Sequence, residues 1–179
     1  MQEWFIWPVS KTERAFCSQR FESSLLRMKF EFSAGGVVFR RKTKNKKQTN
    51  FEILLGQHSQ HHGWVFPKGI IGDHPSSDSG RAKETQEDAA LREVEEETGI
   101  VAKIVKPLKP ATYWYNFEGE KIKKTVYYFL MEFVGGDTKN HDWEMEKVEW
   151  ILKEEVENRL TYKSDREVWQ EAKKLIVSN

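Results

Sequence analysis

Seventeen residues, Glu84 to Ile100 (ETQEDAALREVEEETGI), restrict what this chain can fold into more than any other stretch. On a helix turning about 100° per residue, Glu97 lies about 40° to one side of Glu93 and Glu96 about 60° to the other. Three carboxylates therefore share one face. Leu91 and Val94 project about 160° and 100° from the same reference and form a separate apolar stripe that can pack on a sheet. Glu95 points to solvent. Thr85 as N-cap, Asp88 three positions on and Gly99 just past the end predict a helix over Gln86–Thr98. Like charges at i, i+3 and i+4 cost a few tenths of a kcal/mol per pair, and the fold gains nothing from them. A divalent cation reverses the sign of that cost, and hard oxygen ligands are what Mg²⁺ prefers. Glu-rich solvent faces are also common, so the cluster alone leaves both readings open.

A chain of 179 residues can bury a core as one domain without disulfide or metal staples. Its 11 Phe, 7 Trp and 5 Tyr exclude a disordered chain. Lys+Arg 29 against Asp+Glu 28 leaves a net charge of +1, so charge acts locally rather than selecting nucleic acid or membrane through a whole-protein field. A single cysteine, Cys17, excludes an intramolecular disulfide and fits a reducing compartment. No apolar run approaches the roughly 18 residues of a membrane span. A cytoplasmic location without membrane contact is expected.

Residues 1–28 mix aromatics, charges and serines with no sustained period. They read as an N-terminal extension before a natural start at Met28, or as a short arm docking Trp4, Phe5 and Trp7; residues 29–179 read as a single domain. FEFSAGGVVFR and FEILLGQ are β-rich runs joined by RRKTKNKKQTN. Six of the eight residues Arg40–Lys47 are basic, which fits a solvated hairpin tip or a nucleic-acid contact. A polar loop, Gly72–Lys83, precedes the acidic helix. VAKIVKP, ATYWYNF, KTVYYFLMEFV and KVEWIL read as strands. A short Glu-rich helix near 153–160 and a second helix capped by Ser164-x-x-Glu167 close the chain. Strands interspersed with about three helices indicate an α+β fold, a mixed β-sheet flanked by helices.

Upstream of the helix stands GWVFPKG (Gly63–Gly69). Glu84 follows, then seven residues, then Arg92-Glu93-Val94-x-Glu96-Glu97-x-Gly99-Ile100. This resembles the Nudix box, G-x5-E-x7-R-E-U-x-E-E-x-G-U with U aliphatic, and the match from Glu84 to Ile100 is complete. Gly69 is separated from Glu84 by fourteen residues instead of five, a nine-residue insertion, so Gly69 fills the glycine role with the insertion bulging out. SAGGVVFR, the KTVYYFLMEF strand and the tail from Trp150 to Arg166 look like the bacterial dinucleoside-tetraphosphate hydrolase branch.

The resemblance implies an α/β/α sandwich and a Mg²⁺-dependent (or Mn²⁺-dependent) pyrophosphohydrolase acting on small nucleotides. Glu93, Glu96 and Glu97 match the metal ligands, with the Gly69 carbonyl as a further one. Arg92 pairs with Glu84 as structural support of the site, and Lys68 meets a phosphate as a point charge. An extra catalytic carboxylate comes from a later loop: Glu144, on spacing to Trp150, or Glu146. Tyr113 and Tyr115 share a strand face and either stack on adenine or pack in the sheet. Of Lys121, Lys123 and Lys124 on the following hairpin, Lys124 is the phosphate candidate. His58, His61 and His62 read as turn histidines. The leading function is asymmetric hydrolysis of dinucleoside tetraphosphates to triphosphate plus monophosphate. RNA 5′-pyrophosphate removal, hydrolysis of (oxidised) nucleoside triphosphates and a non-catalytic nucleotide-binding module remain open.

Overall fold

The computed structural model describes residues 29–45, 48–72, 84–117 and 119–177. The expectations for residues 1–28, for most of the polar loop and for Lys46 and Lys47 lie outside the described residues. The strands are β1 (Lys29–Asn45), β2 (Gln48–His58), β3 (Trp64–Val65), β4 (Lys68–Ile70), β5 (Ile100–Pro107), β6 (Ala111–Phe117), β7 (Glu120–Gly136) and β8 (Met145–Leu152). The helices are α1 (Gln86–Thr98), α2 (Val156–Arg159) and α3 (Lys163–Val177), with a 3₁₀ turn at Thr138–Asn140.

Strand β1 is the spine of the mixed sheet. It runs parallel to β7 from the pair Lys29/Ile122 to Phe39/Glu132. Its opposite edge carries β4 (Ala34 opposite Gly69) and then β2 (Phe39 opposite Ile53), both antiparallel. The far edge of β7 carries β6 and β5 end to end, and β8 lines β2. Alternation along β1 divides the interior. Val37 and Phe39 join Trp169, Ala172 and Ile176 of α3 in one core. Ala34 and Val38 face the other way, onto Ala89, Ala90 and Val94 of α1. Two helical layers thus enclose one sheet, the expected sandwich. Each large apolar side chain buried this way contributes about 1.5–3 kcal/mol as an upper bound.

Helix α1 occupies the expected span. Thr85 Oγ1 accepts from the Asp88 N–H at 3.1 Å, and Gly99 adopts φ 69°, where a Cβ is unfavourable, and closes on the Glu95 carbonyl. Other local expectations change. Helix α3 begins at Lys163, so Ser164 lies inside the first turn instead of capping it. The Glu-rich helix contracts to Val156–Arg159. Strand β7 starts at Glu120, which puts Lys121, Lys123 and Lys124 within a strand. Strands β3 and β4 flank Phe66-Pro67 and are too short to show a period. The basic run is mostly strand as well: β1 extends to Asn45, and Arg40 and Lys42 both bond the buried Glu52 carboxylate at 2.7 Å. Burial alone would raise the Glu52 pKa, but Lys42 and Arg40 hold it below the ordinary carboxylate value.

The seat of β4 against β1 depends on Gly35. A Cβ there would stand 2.6 Å from Lys68 Cβ and 2.9 Å from Lys68 Cα, against backbone that cannot yield alone. At Gly36 the obstruction is the flexible Met131 side chain and one Val94 methyl. Gly35→Ala is therefore expected to destabilise by about 1–3 kcal/mol, with Gly36→Ala costing less. Urea titration of both variants checks the order.

Candidate active site

The acidic face of α1 abuts β4, and one arginine organises it. Arg92 Nε donates to Glu84 Oε1 at 2.8 Å, and Nη2 donates to Glu84 Oε2 at 3.1 Å and to the Ile70 carbonyl at 3.2 Å. Its Nη1 is shared between Glu93 Oε1 at 2.7 Å and Glu96 Oε2 at 2.9 Å. The hydrogen bonds from Glu84 first, then those from Glu93 and Glu96, hold the Arg92 pKa above its ordinary range against the opposing effect of burial. Glu84 also accepts from the Gly72 N–H at 2.7 Å. Gly72 and Glu84 bracket residues 73–83, so the base of the insertion is closed by a carboxylate and Gly69 keeps its place beside the helix.

Gly69 lies directly against Glu93: a Cβ would overlap that carboxylate. Glu97 Oε2 accepts from the Lys68 N–H at 2.9 Å. Burial is the main cause that pushes the Glu97 pKa up to about 8, opposed by Lys68 and reinforced by Glu93 and Glu144. Burial likewise raises Glu93, with Arg92 opposing and Glu96 and Glu144 adding to it. Lys68, half-buried, is also discouraged from charging by burial, yet the Glu97 and Asp165 carboxylates hold its pKa above the ordinary value.

The loop carboxylates separate cleanly. Glu146 Oε2 bonds His62 Nδ1 at 2.7 Å. Glu144 is half-buried; its pKa is raised by burial first, then by Asp142 and Glu96. Its backbone is pinned, since Ser59 N–H donates to the Glu144 carbonyl at 2.8 Å and Asp142 N–H to the Glu96 carbonyl at 3.2 Å. Of the two candidates, Glu144 is the one coupled to the acidic helix face.

Beyond Lys68, on the α3 side of the sheet, lie Tyr113, Tyr115 and Lys124. The tyrosine rings are 6.5 Å apart and tilted. Tyr113 packs against the α3-side core, whereas Tyr115 donates its hydroxyl to Glu31 Oε2 at 2.7 Å. Lys124 stands 3.7 Å from the same carboxylate, and its pKa is lowered by burial and then by the Lys68 charge. Two ammonium groups thus lie within electrostatic reach of each other beside two phenols. Sequence reasoning missed Glu31 and Asp165, which set these charges; Asp165 also accepts from Tyr128 at 3.1 Å. It also missed the His58–His61 stack, with centroids 4.1 Å apart, where His61 meets the Tyr162 hydroxyl at 3.1 Å. Sheet register brings Glu31 to Tyr115, and the seating of α3 brings Asp165 to Tyr128 and Tyr162 to His61.

Among the described residues no group of three His, Cys, Asp or Glu side chains converges on one metal position. Arg92 Nη1 lies between Glu93 and Glu96 instead. The donor set nevertheless fits a hard divalent cation: all oxygen, mutually repulsive, with one member held protonated near neutrality by burial. At Gly69 the absence of a side chain leaves room for the Glu93 carboxylate.

A pH dependence follows. Because the Glu97 pKa rises from 4.5 to about 8 on folding, the folded metal-free chain binds more protons than the unfolded one across that interval. Stability is expected to fall as pH rises through it. Glu97→Gln is expected to flatten that slope, and Mg²⁺ to raise Tm more at pH 8 than at pH 5. Thermal melts across the range check both.

A family model described as NUDIX domain matches residues 29–172. The chain is 33% identical over 161 residues to the protein called mutator protein MutT4 in Mycobacterium tuberculosis, covering 89% of this chain and 61% of that protein. It is 37% identical over 102 residues to the asymmetrical bis(5′-nucleosyl)-tetraphosphatase of Rattus norvegicus, covering 56% of this chain and 63% of that one. The chain therefore spans about 60% of the length of both relatives. Its fold is similar to a C. elegans Ap4A hydrolase binary complex, with a TM-score of 0.62 at 23% identity, covering 83% of this chain and 99% of that structure.

Proposed function

The chain belongs to the Nudix family, and on that premise we propose that it is a divalent-metal-dependent pyrophosphohydrolase cleaving dinucleoside tetraphosphates asymmetrically to nucleoside triphosphate and monophosphate. The observation that carries the reading is the meeting of Lys68 and Lys124 with Tyr113 and Tyr115 beside the Glu97 carboxylate. The Lys68 charge lowers the Lys124 pKa, and two cations that close together attract a polyanion, while planar rings next to them accept a base.

Mg²⁺ or Mn²⁺ would be held by Glu93, Glu96 and Glu97 with the Gly69 carbonyl, supplying charge neutralisation at the phosphates and a more acidic attacking water. The remaining work falls to the chain. Lys68 and Lys124 bind and orient the phosphate run. Tyr113 holds the base, with Tyr115 fixed beside it by Glu31. Glu144 accepts the proton of the attacking water, and burial raises its pKa above the ordinary carboxylate value. One O–P bond forms, the phosphoanhydride P–O bond breaks, and the leaving phosphate carries away the electron pair. Arg92 and Glu84 keep the acidic helix and β4 in register throughout. Similarity to the 8-oxo-(d)GTP phosphatase of Mycolicibacterium smegmatis, 30% identical over 140 residues, supports a second reading, hydrolysis of oxidised dGTP through the same residues.

The test is a product analysis with Mg²⁺ and, separately, diadenosine tetraphosphate, oxidised dGTP and triphosphorylated RNA. ATP plus AMP from the first is expected. Glu97→Gln is expected to cut that rate by about 10²–10³-fold, the range for losing one preorganised electrostatic contact. Turnover of oxidised dGTP alone would establish the second reading. Equal rates for Glu97→Gln and the parent chain would overturn both.

A further inference from the structure

Among the described residues, the sheet face opposite the tyrosine pocket carries exposed rings with lysines beside them. Phe30, Phe32 and Trp114 are exposed to 56%, 50% and 45%, high values for rings within a sheet. Register places them in two adjoining rows: Phe30, Lys123 and Trp114 lie side by side across β1, β7 and β6, and Phe32, Thr125 and Thr112 form the next row. The Lys121 ammonium stands 4.9 Å, and that of Lys123 5.9 Å, from the Trp114 ring centroid. Thr112 and Thr125 join their hydroxyls at 3.2 Å and finish the row with polar atoms. Among the described residues neither lysine has a carboxylate within ion-pair distance; Glu120, their neighbour on β7, is paired with Lys29.

Strand alternation turns Tyr113, Tyr115 and Lys124 to the other face, so this surface is separate from the hydrolytic pocket. Rings spaced across a flat sheet, with unneutralised ammonium groups beside them, suit a chain of alternating planar bases and phosphates. A second copy of this protein fits poorly. A two-fold contact would set Lys121 and Lys123 against their own copies, like charge on like charge. The basic run on β1 is a weaker nucleic-acid candidate, because Arg40 and Lys42 are both tied to the Glu52 carboxylate.

We propose that the face formed by Phe30, Phe32, Trp114, Lys121 and Lys123 binds single-stranded nucleic acid, bases stacking on the three rings and phosphates meeting the two lysines. The experiment is fluorescence anisotropy of the full chain with a labelled twelve-nucleotide oligouridylate bearing a 5′-hydroxyl, so that binding does not depend on the hydrolytic pocket. The matching DNA oligomer and an RNA duplex are run beside it. Binding to both single strands and weaker binding to the duplex are expected. With two phosphates neutralised, log affinity is expected to fall against log salt with a slope of about −1.4. Trp114→Ala and the double variant Lys121→Glu/Lys123→Glu are each expected to weaken binding by about tenfold or more. The lysine variant alters only side chains at the surface and keeps the test valid if Trp114→Ala fails to fold; it is expected to leave diadenosine tetraphosphate hydrolysis unchanged. No binding at 100 µM protein, equal binding of the duplex, affinity unchanged in the lysine variant, or a dimer in sedimentation that this variant dissociates would each overturn the proposal.

Discussion

The guanidinium of Arg92 is the interaction on which the rest of the site depends. It reaches two loops and two helix carboxylates from one position: Glu84 on the incoming chain, the Ile70 carbonyl at the end of β4, and Glu93 and Glu96 on its own helix. A planar fork of five donors can do this, and a lysine cannot. Without such a cation the acidic face of α1 would repel itself beside the end of β4. With it, β4 sits against the helix, Gly69 touches Glu93, and the Lys68 N–H meets Glu97. Burial first, and neighbouring carboxylates after it, keep the Glu93, Glu97 and Glu144 pKa values above the ordinary carboxylate range. An apolar helix face would be more stable, so the geometry accepts a local cost at this face.

Charge also divides the two faces of β6 and β7. One face turns Lys124, Tyr113 and Tyr115 toward Lys68 and the carboxylates. The other turns Lys121 and Lys123 toward Trp114 in the open. A two-residue period thus lets one hairpin present different cations to different surroundings, partly buried on one side and solvated on the other.

What could be read from the sequence follows the range of the forces involved. Helix α1 was legible to its caps because Thr85, Asp88 and Gly99 act on residues within one turn. The Glu84–Arg92 contact was legible because its spacing belongs to a recognisable motif. The partnership of Tyr115 with Glu31 was not, since 84 residues separate them and only sheet register joins them. Lys121 and Lys123 were read as hairpin residues because β7 starts earlier than its apolar pattern does; Ile122 is the first inward position. The basic run was read as a tip because its partner, Glu52, is a carboxylate buried in an otherwise apolar strand, against the usual preference. Ser164 had the sequence of a cap, but Arg166 N–H already reaches back to the Tyr162 carbonyl, so the helix starts two residues earlier.

The account stands or falls on whether the α1 carboxylates hold a divalent cation. Electron paramagnetic resonance of Mn²⁺ titrated into the chain measures this without any nucleotide, because the sharp signal of the free ion is lost on binding. The parent chain is predicted to take up Mn²⁺, with Mg²⁺ displacing it, and Glu93→Gln and Glu97→Gln are each predicted to weaken uptake by about tenfold or more. Undiminished Mn²⁺ uptake in both variants would contradict the assignment and move the cation elsewhere in the molecule.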